Sequence, residues 1–295
     1  SQAPGMGKAL HDADPSVFGE VGGAVGFDVA KLCLESDEET LRQTQNAQIA
    51  LYTVGVAAFA ALRRVAADVP VKAAAGHSVG EYAALAAAGV VTVREGARLV
   101  QARGRIMAEA GAERPGSMAA VLGLGRATVD GVCRRAGVCV VANDNCPGQL
   151  VISGDRDAVE KAAVELKAAG AKRVLPLNVS GAFHSPLMEA SAEAMGLTLS
   201  SSSFAKGTIP VYSNVTAQPG AGWPDLLVRQ LKSPVLWTDT IQNMTTDGFD
   251  VYIECGHGSV LCGLIKRSSP DALTMAVNDP EGAASAVDAI KERLG

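Results

Sequence analysis

Short apolar runs of strand length alternate with longer amphipathic stretches along nearly the whole chain, and glycines close many of them. That alternation restricts the fold to an α/β architecture, a parallel sheet with helices packed on it. Asn46–Val65 has the helical period, with Ile49, Val54, Val56, Ala57 and Leu62 on its apolar side. Val71–Ala75 is a short apolar run ending at Gly76, the pattern of a buried strand. Glu81–Ala88 follows as an alanine-rich helix stopped by Gly89, and Val93–Ala110 as a second, longer helix stopped by Gly111. After residue 178 the same pattern resumes: a helix through Glu189–Met195, strands at Pro210–Ser213 and Tyr252–Glu254, and a closing helix at Glu281–Leu294.

The middle of the chain has a different order. Ser117–Leu124 has a strand pattern, Ala127–Ala136 a helical one, and Val138–Ala142 a strand pattern. The turn Asn145-Cys146-Pro147-Gly148 leads into a strand at Gln149–Ser153, then a helix at Asp157–Ala169 closed by Gly170, then a strand at Lys172–Leu177. This βαββαβ order is the split-βαβ, ferredoxin-like arrangement. The expected organisation is a large domain at 1–115 and 179–295, carrying an inserted ferredoxin-like domain at 116–178.

Composition narrows the function class. Of 295 residues, 48% are hydrophobic and 19% charged, enough to build a sizeable core, and the few aromatics (4%) suit close helix-on-sheet packing. A net charge of −5 argues against nucleic acid as the main partner. No run of 18 apolar residues occurs and Ser1–Leu10 lacks a charged-then-apolar leader pattern, so no membrane partner is expected. The six cysteines, at 33, 133, 139, 146, 255 and 262, show no metal or redox spacing and no cluster with the four histidines. Reduced thiols in the cytoplasm, with no metal and no cofactor, are the expectation.

One motif carries chemistry by its setting. Gly76-His77-Ser78-Val79-Gly80 follows an apolar strand and precedes a helix, the context in which Gly-x-Ser-x-Gly forms a nucleophile elbow. Two glycines would let strand and helix approach around a sharp turn with Ser78 at its tip, and the Val79 N–H would lie at the helix N-terminus, where it could stabilise an oxyanion. The alternative is a glycine-rich turn with an idle serine. A serine nucleophile needs a base. His77 is adjacent but would point away on a tight turn, His11 lies in a polar stretch, and His257 lies in the loop Gly256-His257-Gly258. His184 stands directly before Ser185-Pro186, an N-cap and first-turn proline that open a helix, where a neutral imidazole is favoured. It is equally suited to a structural role in a loop.

Arg103 is the most informative charge. Leu99, Val100, Ile106 and Met107 surround it at helical spacing, so it points from an apolar face, whereas Arg98 and Arg105 have polar surroundings. A buried guanidinium is costly unless it meets an anion. Two anions fit equally: an internal carboxylate, or a substrate carboxylate held by the fork.

Together these segments resemble the malonyl-CoA:acyl-carrier-protein transacylases, the stand-alone acyltransferases of fatty acid synthesis, and also polyketide-synthase acyltransferase domains. The resemblance rests on Gly-His-Ser-Val-Gly-Glu at 76–81, Gln-Ala-Arg-Gly-Arg-Ile-Met at 101–107 and Gly-Ala-Phe-His-Ser-Pro-Leu-Met at 181–188. Supporting matches are Ser1-Gln2 with Gly5-Met6-Gly7, Thr44–Gln48, Asn145–Gln149, Ser233–Trp237 and Gly256–Arg267. Several motifs in order along nearly the whole chain are far more specific than any one of them.

The resemblance implies an α/β-hydrolase-like large domain and a set of roles. Ser78 would be the nucleophile and His184 its base, without a third carboxylate. Arg103 would hold the malonyl carboxylate, Gln48 would line the pocket, and the backbone carbonyl of Leu236 would orient the histidine. Phe183 is expected to crowd the acyl pocket and favour malonyl over methylmalonyl. Malonyl-CoA and acyl carrier protein are the implied partners, with Lys172, Arg173, Lys266 and Arg267 as candidates for meeting an acidic carrier. Two places depart from the family's pattern. The chain given begins at Ser1, after the point where the family has an apolar strand and a Gly-Gln-Gly turn that supplies a second oxyanion donor, and Gly-Pro-Gly is replaced by Gly256-His257-Gly258. A serine hydrolase shares the elbow and is the main rival; a catalytically silent subunit is another. A buried Arg103 counts against an ordinary esterase.

Overall fold

The computed structural model describes residues 2–294; Ser1, half of the opening Ser-Gln pair, lies outside them. The chain is a mixed α/β protein. Its strands among the described residues are β1 (Ala74–Ala75), β2 (Ser117–Leu122), β3 (Cys139–Cys146), β4 (Gln149–Gly154), β5 (Arg173–Pro176), β6 (Val211–Tyr212), β7 (Val235–Leu236), β8 (Val251–Cys255) and β9 (Leu273–Val277). It divides into two compact units. The first comprises 1–104, 202–212 and 244–295, and the second 105–201 and 213–243.

In the first unit the pairings are parallel: β1 with β6 and β8 with β9. The helix Thr44–Val65 is its centre, burying Ile49, Ala50, Tyr52, Val54, Ala57, Ala58 and Leu62. By length and composition it could cross a membrane, but 67% of its apolar window is buried inside the fold, as in a core helix. The helix Val93–Glu113 approaches it closely at two glycines. A side chain at Gly96 would collide with the Tyr52 hydroxyl, and one at Gly104 would come within 2.9 Å of the Gln45 Cα. Tyr52 seals the approach by donating from its hydroxyl to the Val93 carbonyl at 2.8 Å.

The second unit is built on a five-stranded sheet in the order β5-β2-β4-β3-β7, antiparallel except between β3 and β7. Two helices, Arg126–Ala136 and Arg156–Ala168, present Val129, Val132 and Cys133, and Ala158, Val159, Ala162 and Leu166. These spacings put one apolar stripe on each helix, and alternate residues of the strands, Ala119 and Val121, Leu150 and Ile152, complete a single core.

Several expectations change in the structure. The long helix does not stop at Gly111 but continues to Glu113. Gly111 is there because any side chain would meet the Ser180 carbonyl, at 2.5 Å. The strand expected at Val71–Ala75 contracts to two residues, and that expected at Val138–Ala142 runs on to Cys146. Asn145 and Cys146, expected in the turn, are instead buried residues of β3, which is flanked on both sides, by β4 and β7. Only Pro147-Gly148, with Gly148 at φ 76°, makes the turn. The four short helices between Lys8 and Arg42, the helices Trp223–Lys232, Trp237–Thr246 and Val260–Ser268, and strands β7 and β9 were not anticipated.

Truncating Ile152, fully buried in the core of the second unit, should lower stability by about 2–5 kcal/mol. Urea denaturation of Ile152→Ala should show the midpoint falling with an unchanged slope; a decrease under about 1 kcal/mol would mean that the two helices do not close over the sheet at this point.

Candidate active site

Ser78 sits on a backbone that few residues adopt. Its φ is 53°, in the left-handed region, at the turn between β1 and the helix Gly80–Ala87. Strain of this kind, about 1–3 kcal/mol, persists only where surrounding structure imposes it. Here it is imposed by Gly76: a Cβ at that position would collide with the Gly80 carbonyl group and lie 2.5 Å from the Glu81 nitrogen. Gly80 itself has open space where a side chain would go, so only the first of the two glycines is sterically required. The turn is closed by Gly80 N–H to the His77 carbonyl at 2.9 Å and Glu81 N–H to the Ser78 carbonyl at 3.1 Å. The Val79 N–H, at the helix N-cap, donates to no acceptor among the described residues, as an oxyanion donor requires.

Arg103 lies on the buried side of Val93–Glu113, 1% exposed, with Leu99, Val100, Ile106 and Met107 also buried. Arg98 and Arg105 are 56% and 64% exposed and pair with Glu95 and Glu109 on the same helix, as their polar surroundings predict. The close approach at Gly104 brings Arg103 against the neighbouring helix. One terminal nitrogen of its guanidinium donates to Gln48 Oε1 at 2.5 Å, and the other to Ser78 Oγ at 3.1 Å. Burial lowers the Arg103 pKa from its ordinary value, opposed by Tyr82 and by the buried carboxylate of Glu81. An arginine remains charged at any working pH. The first unit thus brings Gln48, Arg103, Ser78 and Val79 together.

Phe183, His184 and Leu236 belong to the second unit. His184 is buried, also in the left-handed region at φ 55°, and its N–H donates to the Leu231 carbonyl at 3.1 Å. Ser185 caps the short helical turn Pro186–Met188, its hydroxyl accepting from the Leu187 N–H at 3.2 Å and donating to the Ala182 carbonyl at 2.6 Å. His184 Nδ1 stands 2.8 Å from the Gln230 carbonyl. A carbonyl only accepts, so Nδ1 carries the hydrogen and Nε2 carries the lone pair, the tautomer of a general base. The orienting carbonyl is therefore that of Gln230 and not that of Leu236. The Leu236 carbonyl instead accepts from the Thr240 hydroxyl at 2.8 Å, because β7 leads directly into the helix Trp237–Thr246. Gln230 escaped sequence reasoning because a backbone carbonyl leaves no residue-type signal. Phe183 packs against Met118, Ala142 and Val151.

His257 follows β8, in a loop whose Gly258 N–H donates to Asn278 Oδ1 at 2.6 Å, and burial lowers its pKa. His11 packs edge-on against Phe18 with ring centroids 5.1 Å apart, so it is less exposed than a polar stretch suggests.

A strained serine on a strand-to-helix turn carries a buried guanidinium on its hydroxyl. Proteins similar to this chain are known. The acyl transferase domain family matches residues 1–284. The malonyl CoA-acyl carrier protein transacylase of Escherichia coli K12 is 39% identical over 297 residues, covering 98% of this chain and 96% of that protein. The crystal structure of an acyl-carrier-protein S-malonyltransferase from Bartonella henselae superposes with a TM-score of 0.94 at 36% identity, covering 99% of this chain and 96% of that one. A malonyl-transacylase solved in complex with its type II polyketide acyl-carrier protein matches with a TM-score of 0.92 at 36% identity, covering 98% and 96%. With its elbow serine, its arginine and nearly its full length accounted for, the chain belongs to the acyl transferase domain family, among the malonyl CoA-acyl carrier protein transacylases.

Proposed function

We propose that the protein transfers a malonyl group from malonyl-CoA to the phosphopantetheine thiol of acyl carrier protein, through a malonyl ester on Ser78. The observation that carries this reading is the Arg103 guanidinium, buried and donating to Ser78 Oγ at 3.1 Å. A fixed cation beside a nucleophile favours an acyl group that bears its own negative charge, and malonyl ends in a carboxylate.

The reaction proceeds in two halves. His184 Nε2 takes the proton of Ser78 as Oγ attacks the thioester carbon, and the charge developing on the carbonyl oxygen is met by the Val79 N–H. The carbon–sulfur bond breaks, coenzyme A leaves with the proton returned by His184, and malonyl remains esterified to Ser78. The carrier thiol then gives its proton to His184 and attacks the ester. Its carbon–oxygen bond breaks, Ser78 is reprotonated, and malonyl-carrier departs. Gln48 Oε1 holds one edge of the guanidinium so that the fork stays turned toward the acyl group. Phe183, immediately before the base, narrows the space around the α-carbon and favours malonyl over methylmalonyl. Water in place of the carrier thiol would make the same site a hydrolase; the buried cation favours transfer of a charged acyl group over that reading.

The first unit is read as α/β-hydrolase-like, and residues 116–178 as an inserted ferredoxin-like domain. In that segment the strands lie in the order fourth, first, third, second, all antiparallel, over one core shared by both helices, which supports the reading. The cytoplasm is the proposed location, a reading supported by six cysteines of which none is in a disulfide.

His184→Ala should reduce malonyl transfer by roughly 10²–10⁴, the range of a missing general base. Steady-state rates with malonyl-CoA and carrier check this, and near-parent activity would assign the proton to another group. Arg103→Ala tests the function most sharply. A hydrogen bond to a charged group contributes about 1.5–3 kcal/mol, so removing both prongs of the fork should slow malonyl transfer at least about a hundredfold. Acetyl-CoA offers no carboxylate, and its transfer should be unchanged or improved. If Arg103 serves only as counter-charge to Glu81, both thioesters slow together and the melting temperature falls.

A further inference from the structure

The Arg103 guanidinium has to be kept in place beside Ser78, and the Tyr82 ring is placed to do that. We propose that Tyr82 is a positioning residue for the acyl carboxylate: its ring face holds the Arg103 guanidinium at the nucleophile by an attraction that does not itself occupy an N–H donor. The proposal rests on the reading of Arg103 as the carboxylate anchor.

Tyr82 is fully buried, and Arg103 Cζ lies over its ring at 5.7 Å from the centroid. That is within the roughly 6 Å at which a cation is drawn to the negative face of an aromatic ring, and the attraction is strongest where both are desolvated. A carboxylate in the same place would also hold the guanidinium, but it would neutralise the cation and occupy the N–H groups that a malonyl carboxylate needs. A ring face does neither. It adds to the interactions already described, with Gln48 Oε1, Ser78 Oγ and the buried Glu81 carboxylate.

The ring is also tied to the nucleophile. Tyr82 is four residues beyond Ser78, on the first turn of the helix Gly80–Ala87, and its N–H donates to the Val79 carbonyl at 3.1 Å. The turn that forces Ser78 into its strained conformation therefore also sets the position of the ring. Nucleophile and cation are registered to each other through one short rigid element, and Arg103 is drawn to it from a different helix.

Tyr82 Oη is buried and makes no hydrogen bond of good geometry among the described residues, although it lies near enough to the Arg103 guanidinium to favour its charged form. Burial pushes the phenol pKa up, so the ring stays neutral at working pH. Attraction to the ring face does not require the hydroxyl, so phenylalanine should serve as well. The face of the ring is the working part.

The test compares full-length variants in transfer to holo-carrier from malonyl-CoA and, separately, acetyl-CoA. Tyr82→Phe should keep the parent's malonyl-to-acetyl ratio of kcat/KM within about threefold. Tyr82→Leu should lower that ratio by about ten- to thirtyfold, the worth of a desolvated cation–ring interaction, with the decrease confined to malonyl. Because leucine also changes packing, the deciding series places phenylalanines of increasing ring fluorination at position 82. These keep the shape and progressively weaken the negative face. A ratio falling stepwise with fluorination is the expected result. A ratio flat across the series, or malonyl and acetyl rates falling together, overturns the proposal and leaves Tyr82 a packing residue. If the parent itself shows no preference for malonyl, it is the carboxylate-anchor reading of Arg103 that fails, a different outcome read from the first pair of measurements.

Discussion

A guanidinium taken out of water is the constraint around which the first unit is arranged. Burying an isolated cation would cost many kcal/mol, so Arg103 can sit 1% exposed only because everything around it compensates. Gln48 meets one edge, Ser78 another, the Tyr82 ring lies beneath the charge, and the Glu81 carboxylate opposes its deprotonation from within the same core. The interaction with Gln48 requires that two long helices pack closely. They do so because Gly96 and Gly104 present no side chains where Tyr52 and Gln45 pass. The chain of causes runs from two glycines, to an interhelical approach, to a cation held by Gln48.

Ser78 depends on a second constraint, the geometry of its own turn. Ser78 is held in the left-handed region by a turn that tolerates no side chain at Gly76. His184, in the other unit, shares that conformation and is secured differently, by a capped proline turn after it and a carbonyl on Nδ1. Among the described residues, Ser78, His184 and Ala217 are the non-glycine residues with positive φ. The first two are the positions to which catalysis is assigned, and strain at such positions is where function most often departs from local preference.

Much of this was legible in the residues alone, for identifiable reasons. Arg103 was placed inside because four apolar neighbours at helical spacing leave no other direction, and the structure agrees. The βαββαβ order was visible because each of its helices carries a clean apolar stripe and each is closed by a glycine. What escaped notice had no local signature. The strand expected to end at Ala142 runs on through Asn143 and Asp144 because β7 pairs with them from far along the chain. The carbonyl on His184 comes from Gln230, at a position where any residue type would supply the same atom. Gly111 has the appearance of a helix stop but is a point of close backbone approach, and sequence does not separate the two. Tyr82 was hidden in an alanine-rich helix, and only the three-dimensional position of the Arg103 charge reveals what its ring is for.

The most direct test of the account is to weigh the protein. Parent and Ser78→Ala protein, each incubated with malonyl-CoA in the absence of carrier, would be measured by intact mass spectrometry. The account predicts that the parent gains the mass of one malonyl group, that the group leaves when holo-carrier is added and appears on the carrier, and that the alanine variant gains nothing. An adduct of equal amount on the alanine variant, or turnover of malonyl-CoA to free malonate without any adduct or carrier, would contradict it.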